Sequence, residues 1–313
     1  MPAFSASAPG KIILFGEHSV VYGRPALAVP VTQVSAKASL TPNPRGASGE
    51  VLVQAPDIGL EARLGDLPAG HPLAVAAHST AKALGAAHIP ACTLRVKSSI
   101  PVASGLGSGA AISVAVIRAV AAYLGRPLPD DKVSEIAYEV EKIHHGDPSG
   151  IDNTVITYAC PVYFVRGQPM QRLRVRRAFT IVIGDTGITS PTSITVSEVR
   201  KEWQKHKDQC EALFDSAGAI ADSARHAIEG GITELLGPLM DTNHGLLRKI
   251  GVSCPELEKL VLAARKAGAL GAKLSGGGRG GNMIALVEPE RAGQVADALL
   301  AAGAVRAITT RVG

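Results

Sequence analysis

Pro101-Val-Ala-Ser-Gly-Leu-Gly-Ser-Gly-Ala-Ala111 is the stretch on which the reading of this chain turns. Gly105, Gly107 and Gly109 alternate through it, and an almost unbroken apolar run, 110–124, follows and predicts a helix. Glycine accepts the positive φ angles that let successive N–H groups converge on one anion. The helix behind would aim its positive end at the same spot. Ser113 and Arg118 are nearly its only strongly polar members, so the helix is expected to be buried. A phosphate cradle is the functional reading, although a glycine-rich turn ahead of a helix also serves as a plain tight corner. The loop is neither of the two commonest nucleotide loops. A Walker loop requires Gly-Lys-Ser/Thr, and no lysine lies between Lys97 and Lys132. A dinucleotide fingerprint requires Gly-x-Gly-x-x-Gly, and Asp130 and Asp131 come too late for its acidic partner and read better as helix caps.

The bulk composition bounds the rest. A chain of 313 residues makes two packed domains or one large one. Hydrophobic residues are 46%, charged residues 19% and aromatics 4%, a globular composition with an Ala, Val, Leu and Ile core. So few aromatics leave few stacking platforms, which argues against a nucleic-acid partner. The net charge of +5 suits a small anionic ligand equally well. Arg172, Arg174, Arg176 and Arg177 form the one conspicuous basic cluster and read as a solvated strand face. Cys92, Cys160, Cys210 and Cys254 lie far apart and suggest neither zinc nor a disulfide framework. The first residues lack a charged n-region and a long apolar stretch, and the run 110–124 is too short to span a bilayer. A cytoplasmic protein without a membrane partner is expected.

The first third reads as strands at 11–15 and 26–39, a turn at 42–46, a helix over 71–86 and a strand at 93–97. Asp130 or Asp131 opens a second helix, with Val133, Ile136, Ala137, Val140 and Ile143 marking its buried face, and 144–149 breaks it. Strand character is expected over 153–164 and again over 172–182. Helices follow over 196–214, 215–227, 232–250 and 255–267. The end alternates strand (272–274, 283–287), helix (289–302) and strand (307–311), an α+β pattern with split strand–helix order.

Three further motifs carry chemistry. Pro9-Gly-Lys-Ile-Ile-Leu-Phe-Gly-Glu-His-Ser-Val-Val-Tyr-Gly23 sets a lysine and a Glu-His turn at the two ends of an apolar strand. Glu141-Lys-Ile-His-His-Gly-Asp-Pro-Ser-Gly-Ile-Asp152 sends one carboxylate from a helix end and another from the turn beyond it. Taken singly, Glu141 is also the pattern of a solvated helix residue and Asp152 that of a turn former. His144 and His145, being adjacent, point to different faces and lack a third ligand at zinc spacing. The third motif, Lys273-Leu-Ser-Gly-Gly-Gly-Arg-Gly-Gly281, is too glycine-rich for a hinge alone.

In number, order and spacing these segments resemble the GHMP kinase superfamily, from about residue 5 to residue 310. Within it the chain looks like the mevalonate kinases, particularly the compact archaeal-type enzymes. That narrower resemblance rests on Gly16-Glu-His-Ser-Val-Val-Tyr-Gly23, His145-Gly-Asp-Pro-Ser-Gly-Ile-Asp-Asn153, the Gly184-Asp-Thr-Gly187 run and Asn243-His-Gly-Leu-Leu247. Galactokinases carry an Arg-x-Asn element ahead of Gly-Glu-His, where Lys11-Ile-Ile-Leu-Phe15 stands here.

The resemblance implies an α+β, two-domain fold: an N-terminal ATP-binding domain like ribosomal protein S5 domain 2 over 1–168, and a ferredoxin-like C-terminal domain over 169–313. It implies phosphorylation of the 5-hydroxyl of (R)-mevalonate by ATP, with Mg²⁺ as cofactor, small-molecule partners only, and a homodimer. Asp152 would accept the hydroxyl proton. Lys11, beside it in the family, would lower the carboxylate pKa and stabilise the transferred group. Glu141 would ligate the metal. Pro101, Val102, Ala103, Ser104, Gly105, Leu106, Gly107, Ser108, Gly109, Ala110 and Ala111 would wrap the phosphates, with Ser98 nearby. Glu17, His18, Thr192 and Gly277 would serve the substrate, and 276–281 would close over the phosphate loop.

Two positions depart from the family pattern. Two serines usually stand where this chain has Ser108-Gly109, and the second ligates the metal. Either Ser108 shifts into that role, or water fills it, which magnesium tolerates, or the metal is bound weakly. Arg279 lies in a run usually made of glycines, and either touches a phosphate or faces solvent. Three other functions remain open to the sequence: a related kinase acting on phosphomevalonate, on the mevalonate 3-hydroxyl or on a sugar; a ligand sensor that has lost catalysis; and a nucleic-acid module, which lacks a basic-aromatic surface.

Overall fold

A computed structural model of the chain describes residues 3–101, 104–145, 148–189 and 191–313. It divides into two compact units. The first holds Met1–Gly10, Val34–Pro101 and Gly107–Ala159; the second holds Lys11–Gln33, Val102–Leu106 and Cys160–Gly313. Two long strands, β1 (Phe4–Phe15) and β2 (Ala26–Pro42), contribute to both.

In the first unit these are joined by β3 (Val51–Ala55), β4 (Leu60–Arg63), α1 (Pro72–Ala83), β5 (Cys92–Ser98), α2 (Ser108–Tyr123), α3 (Asp130–His145) and α4 (Ile151–Tyr158). β5 pairs antiparallel with β2, from Ala36↔Ser98 to Pro42↔Cys92, and parallel with β3, which pairs antiparallel with β4. α2 packs against α1, α3 and α4. Its alanines and β-branched residues are buried nearly throughout, as the sequence implies. Arg118 is reconciled with that burial because Nη2 donates to Asp130 Oδ1 at 2.7 Å and to the Thr157 carbonyl at 2.6 Å. Arg118 is half-buried, and these partners tie α2 to α3 and α4.

The second unit adds β6 (Val162–Phe164), β7 (Gln171–Arg172), β8 (Phe179–Asp185), α5 (Thr192–Lys205), α6 (Lys207–Gly230), α7 (Leu236–Ile250), α8 (Pro255–Lys266), β9 (Gly271–Ser275), β10 (Asn282–Val287), α9 (Ala292–Ala301) and β11 (Arg306–Val312). The antiparallel sheet runs β11-β8-β10-β9, with crossover helices after its first and third strands. That is the ferredoxin-like order. Every residue of β8, β9 and β10 is buried. Phe214, Leu247, Leu257 and Leu299 lie in the core beside this sheet. The short 3₁₀ turn Ser19–Tyr22 is anchored by Tyr22, whose ring stacks on Phe214 with centroids 4.2 Å apart.

Four local expectations are corrected. Residues 153–158 form α4 rather than a strand, although Thr154, Val155, Ile156 and Thr157 favour strands. All four are buried, α4 packs on α2 and α3, and Thr154 Oγ1 donates to the Gly150 carbonyl at 2.6 Å. Tertiary burial outweighs the propensity, and only 162–164 is strand. The strand expected over 172–182 is split: β7 ends at Arg172 and β8 starts at Phe179. Between them the Leu173 and Arg176 N–H groups bond to Pro161 and Ile228, so Arg174, Arg176 and Arg177 lie on no strand face. The helix break expected at 214/215 falls at His206, and α6 runs unbroken past 215. Ile143, expected on the buried face of α3, is exposed in its last turn.

Candidate active site

The end of β1 in the second unit is shaped by sterics. Gly16 has φ 93°, and a Cβ there would lie 2.4 Å from the Pro25 carbonyl oxygen, so only glycine fits. His18 follows at φ 60°, an uncommon conformation for a residue with a side chain. This turn is held from one direction. β9 presents Lys273 and Ser275 on one side, because alternate residues of a strand share a face, and the turn after it, with Gly276 at φ 85°, adds Gly277. Lys273 Nζ pairs with Glu17 Oε1. Ser275 Oγ donates to the Ile13 carbonyl at 2.7 Å. The Gly277 carbonyl accepts from His18 Nε2 at 3.0 Å, which fixes the proton of the neutral imidazole on Nε2. Thr192, the first residue of α5, stands over Gly277, where a Cβ would come within 3.0 Å of Thr192 Oγ1.

The electrostatics follow from burial. Burial pushes the Glu17 carboxyl up, opposed first by the Lys273 ammonium and more weakly by Lys11. It pushes the Lys273 ammonium down, opposed by Glu17. Burial holds His18 down at about 4 against the bond to Gly277, and the Arg279 charge adds to the depression. His244 on α7 is likewise held at about 4 by burial, with Glu258 opposing. Its Nδ1 accepts from the Leu274 N–H at 3.3 Å, and its Nε2 lies 3.1 Å from Glu258 Oε1.

A pH dependence follows. Unfolded histidine takes a proton near 6.5, whereas folded His18 and His244 resist it to about 4. The unfolded chain therefore binds more protons in that window, and these groups take away stability as pH falls from about 6.5 to about 4. The depression at His18 alone corresponds to about 3 kcal/mol. Chemical denaturation at pH 7 and pH 4.5 should show the loss, and His18→Asn, which tolerates the left-handed backbone, should reduce it to the part that His244 contributes. Equal stabilities of the wild type at the two pH values would contradict this account of the histidines.

Lys11 is buried in the second unit, and its N–H donates to the Leu106 carbonyl at 2.9 Å. Asn282 Nδ2 donates to the Ser104 carbonyl. The 104–106 part of the glycine loop is thereby attached to both β1 and β10. The glycines of 276–281 answer close backbone approach: a Cβ on Gly278 would lie 2.0 Å from the Val252 carbonyl oxygen. Arg279 is held here at φ 57°. Its exposed guanidinium pairs with Glu198 on α5 and reaches the Gly251 carbonyl, in agreement with the solvent-facing alternative left by the sequence.

In the first unit Gly107 caps α2 in the left-handed region at φ 75°, and the helix opens at Ser108, earlier than the apolar run suggests. Ala110 and Ala111 are buried in its first turn. Ser113 Oγ donates to the Gly109 carbonyl at 2.9 Å. Glu141 on α3 is buried, and its Oε1 lies 3.3 Å from the place a Cβ on Gly109 would occupy. Ser108, Gly109 and Glu141 are thus brought together. Ser98 instead bonds locally, with Oγ accepting from the Ile100 N–H at 3.1 Å. Asp152 is half-buried in the first turn of α4, after Gly150 at φ 91°. Val102, Ala103, Gly146, Asp147, Ser190 and the side chains of His144 and His145 lie outside the described residues.

Sequence reasoning missed three supporting residues. Asn153 Nδ2 donates to the Ser134 carbonyl at 3.1 Å and to its Oγ at 2.9 Å, which fixes the helix carrying Asp152. Asn282 reaches the glycine loop, and Lys273 reaches Glu17. For Lys273 the signal was present in its alternation with Ser275, behind the glycines that drew attention.

The pattern of the GHMP kinases N terminal domain matches residues 72–160, and that of the GHMP kinases C terminal domain matches residues 224–305. The mevalonate kinase of Pyrococcus horikoshii is 37% identical over 97% of this chain and 94% of its own length. That of Aeropyrum pernix is 37% identical over 91% and 88%. Among solved structures, L. major mevalonate kinase in complex with R-mevalonate superposes with a TM-score of 0.82 at 30% identity, covering 98% of this chain and 95% of that one. The Methanococcus jannaschii mevalonate kinase, at 24% identity and TM-score 0.84 over 99% and 98%, shares the fold. With both of its domain patterns matched and relatives aligned along nearly its whole length, this chain belongs to the GHMP kinases, in the family of the mevalonate kinases.

Proposed function

We propose that the protein transfers the γ-phosphoryl group of ATP to the 5-hydroxyl of (R)-mevalonate, releasing ADP and 5-phosphomevalonate. The observation that carries this reading is the Gly16–His18 turn docked on Lys273 and Gly277. It builds a buried, oriented Glu-His pair directly after Lys11–Phe15, the stretch that stands where galactokinases carry Arg-x-Asn.

Phosphoryl transfer asks the protein for positioning and electrostatics more than for covalent chemistry. Asp152 accepts the proton of the attacking hydroxyl. Lys11 neutralises charge developing on the transferred group, where its burial keeps water from screening it. The 101–111 segment receives the phosphates at the positive end of α2. Glu17, His18, Thr192 and Gly277 hold the substrate.

Mg²⁺ fits the first unit: Glu141 is a buried hard-oxygen donor facing the first turn of α2, and Gly109 leaves beside it the room a side chain would fill. Glu141 and Ser108 would hold the ion, which when bound screens the charge of the phosphates. Gly109→Ser brings a hydroxyl against Glu141, and we expect it to lower the half-saturating Mg²⁺ concentration by up to about tenfold without altering substrate preference. A magnesium titration that superimposes on the wild type counts against this assignment. The same reading takes the protein to act in the cytoplasm as a homodimer, the latter checked by sedimentation.

ADP release measured with mevalonate, phosphomevalonate and galactose in parallel tests the substrate. Turnover confined to mevalonate is expected. Preference for either of the others would replace the reading, and binding of mevalonate without turnover would make the protein a sensor.

A further inference from the structure

Lys273 has no part in the chemistry above, yet its placement is costly. Its side chain and that of Glu17 are both fully buried in the second unit. Lys273 Nζ engages Glu17 Oε1 and donates to the Leu274 carbonyl at 2.7 Å. Glu17 Oε2 is buried and has no hydrogen-bond partner among the described residues. A buried carboxylate oxygen in that condition is unfavourable unless a donor reaches it. The donor must bring a hydrogen, so a hydroxyl suits this position, and a carboxylate or phosphate would be repelled from it.

We propose that Lys273 is a positioning residue for the substrate: by holding Glu17 through Oε1, it presents Oε2 as a fixed acceptor for a substrate hydroxyl other than the one phosphorylated. The anchoring of this segment supports this, since Ser275 at the end of β9 and Gly277 in the turn after it grip the same turn two and four residues further along. Without the ammonium, Glu17 would rotate or take up a proton, and in either case the oriented acceptor is lost. The proposal rests on the reading of Glu17 as a substrate residue.

The test is steady-state kinetics in mevalonate and in ATP for Glu17→Gln, Lys273→Met and the double variant. Glu17→Gln should raise the mevalonate KM by about 10- to 100-fold, the size of a lost charged hydrogen bond. Lys273→Met should raise it comparably, with kcat and the ATP KM changed by less than about threefold, a split that general loosening of the fold would not produce. The double variant should be no worse than the worse single one, because both changes act at one oxygen and so do not add. A wild-type mevalonate KM in Glu17→Gln would remove Glu17 from the pocket and take both the site reading and the proposal with it. A raised KM in Glu17→Gln beside a wild-type KM in Lys273→Met would keep the pocket and overturn the role of Lys273. Should Lys273→Met fail to fold with its unpaired buried carboxylate, Lys273→Gln decides, since its neutral amide fills the space but cannot hold the carboxylate as an ammonium does. A mevalonate KM raised about tenfold or more in Lys273→Gln, with the ATP KM unchanged, supports the proposal; a wild-type mevalonate KM overturns it.

Discussion

Asp152→Asn is expected to lower kcat by about 10³-fold, within the 10²- to 10⁴-fold range that a positioned general base contributes. Asn keeps the size and the hydrogen-bonding outline of the carboxylate but cannot take a proton. Its position, half-buried in the first turn of α4, tolerates the exchange, since losing a negative charge near a helix N-terminus costs only about 0.3–1 kcal/mol. Asn153, Thr154 and Gly150 continue to hold the helix. Circular dichroism should therefore be unchanged, and the KM values for ATP and mevalonate should move by less than about threefold. A variant that keeps most of its kcat would remove Asp152 from the proton-accepting role.

Lys11→Met is the second large effect. Met matches the length of the lysine stem and suits a buried position, so it removes the charge with little change in packing. We expect kcat to fall by about 10²- to 10³-fold, the usual loss when one preorganised donor to a developing negative charge is deleted. Lys11 also helps keep the Glu17 carboxyl from rising further, so a smaller increase in the mevalonate KM should accompany the loss. Lys11→Arg should not rescue, because a planar guanidinium cannot take the place of a compact ammonium at a buried point. Rapid-quench measurement of the transfer step checks both variants. A wild-type transfer rate in Lys11→Met would assign the charge-stabilising role to another residue.

The parts of this fold that were legible in the sequence are those in which local pattern and tertiary burial agree. The apolar run after the glycine loop is α2, and the terminal alternation of strands and helices is the sheet β11-β8-β10-β9. Where the two disagree the sequence misleads. Residues 153–158 carry β-branched side chains that favour a strand, yet they are buried against α2 and α3 as a helix. The arginines after β7 look like an alternating strand face, but the Leu173 and Arg176 N–H groups bond elsewhere.

The site divides in the same way. Gly16 and the glycines of 276–281 announce themselves because glycine marks unusual backbone demands, and Glu17 and His18 stand beside Gly16 in one motif. Lys273 does not, since a lysine in a strand ordinarily reads as a solvated residue. Only the pairing with Glu17, 256 positions away, makes it a buried partner. Arg279, for which the sequence left phosphate and solvent both open, is exposed and paired with Glu198.

Proton-coupled ³¹P NMR of the product formed from ATP and (R)-mevalonate tests the central claim most directly. Transfer to the 5-oxygen attaches phosphorus beside a CH₂ group, so a monophosphate resonance split into a triplet is predicted, growing with ADP. An unsplit resonance, as from the tertiary 3-oxygen, or growth of inorganic phosphate alone, would contradict it.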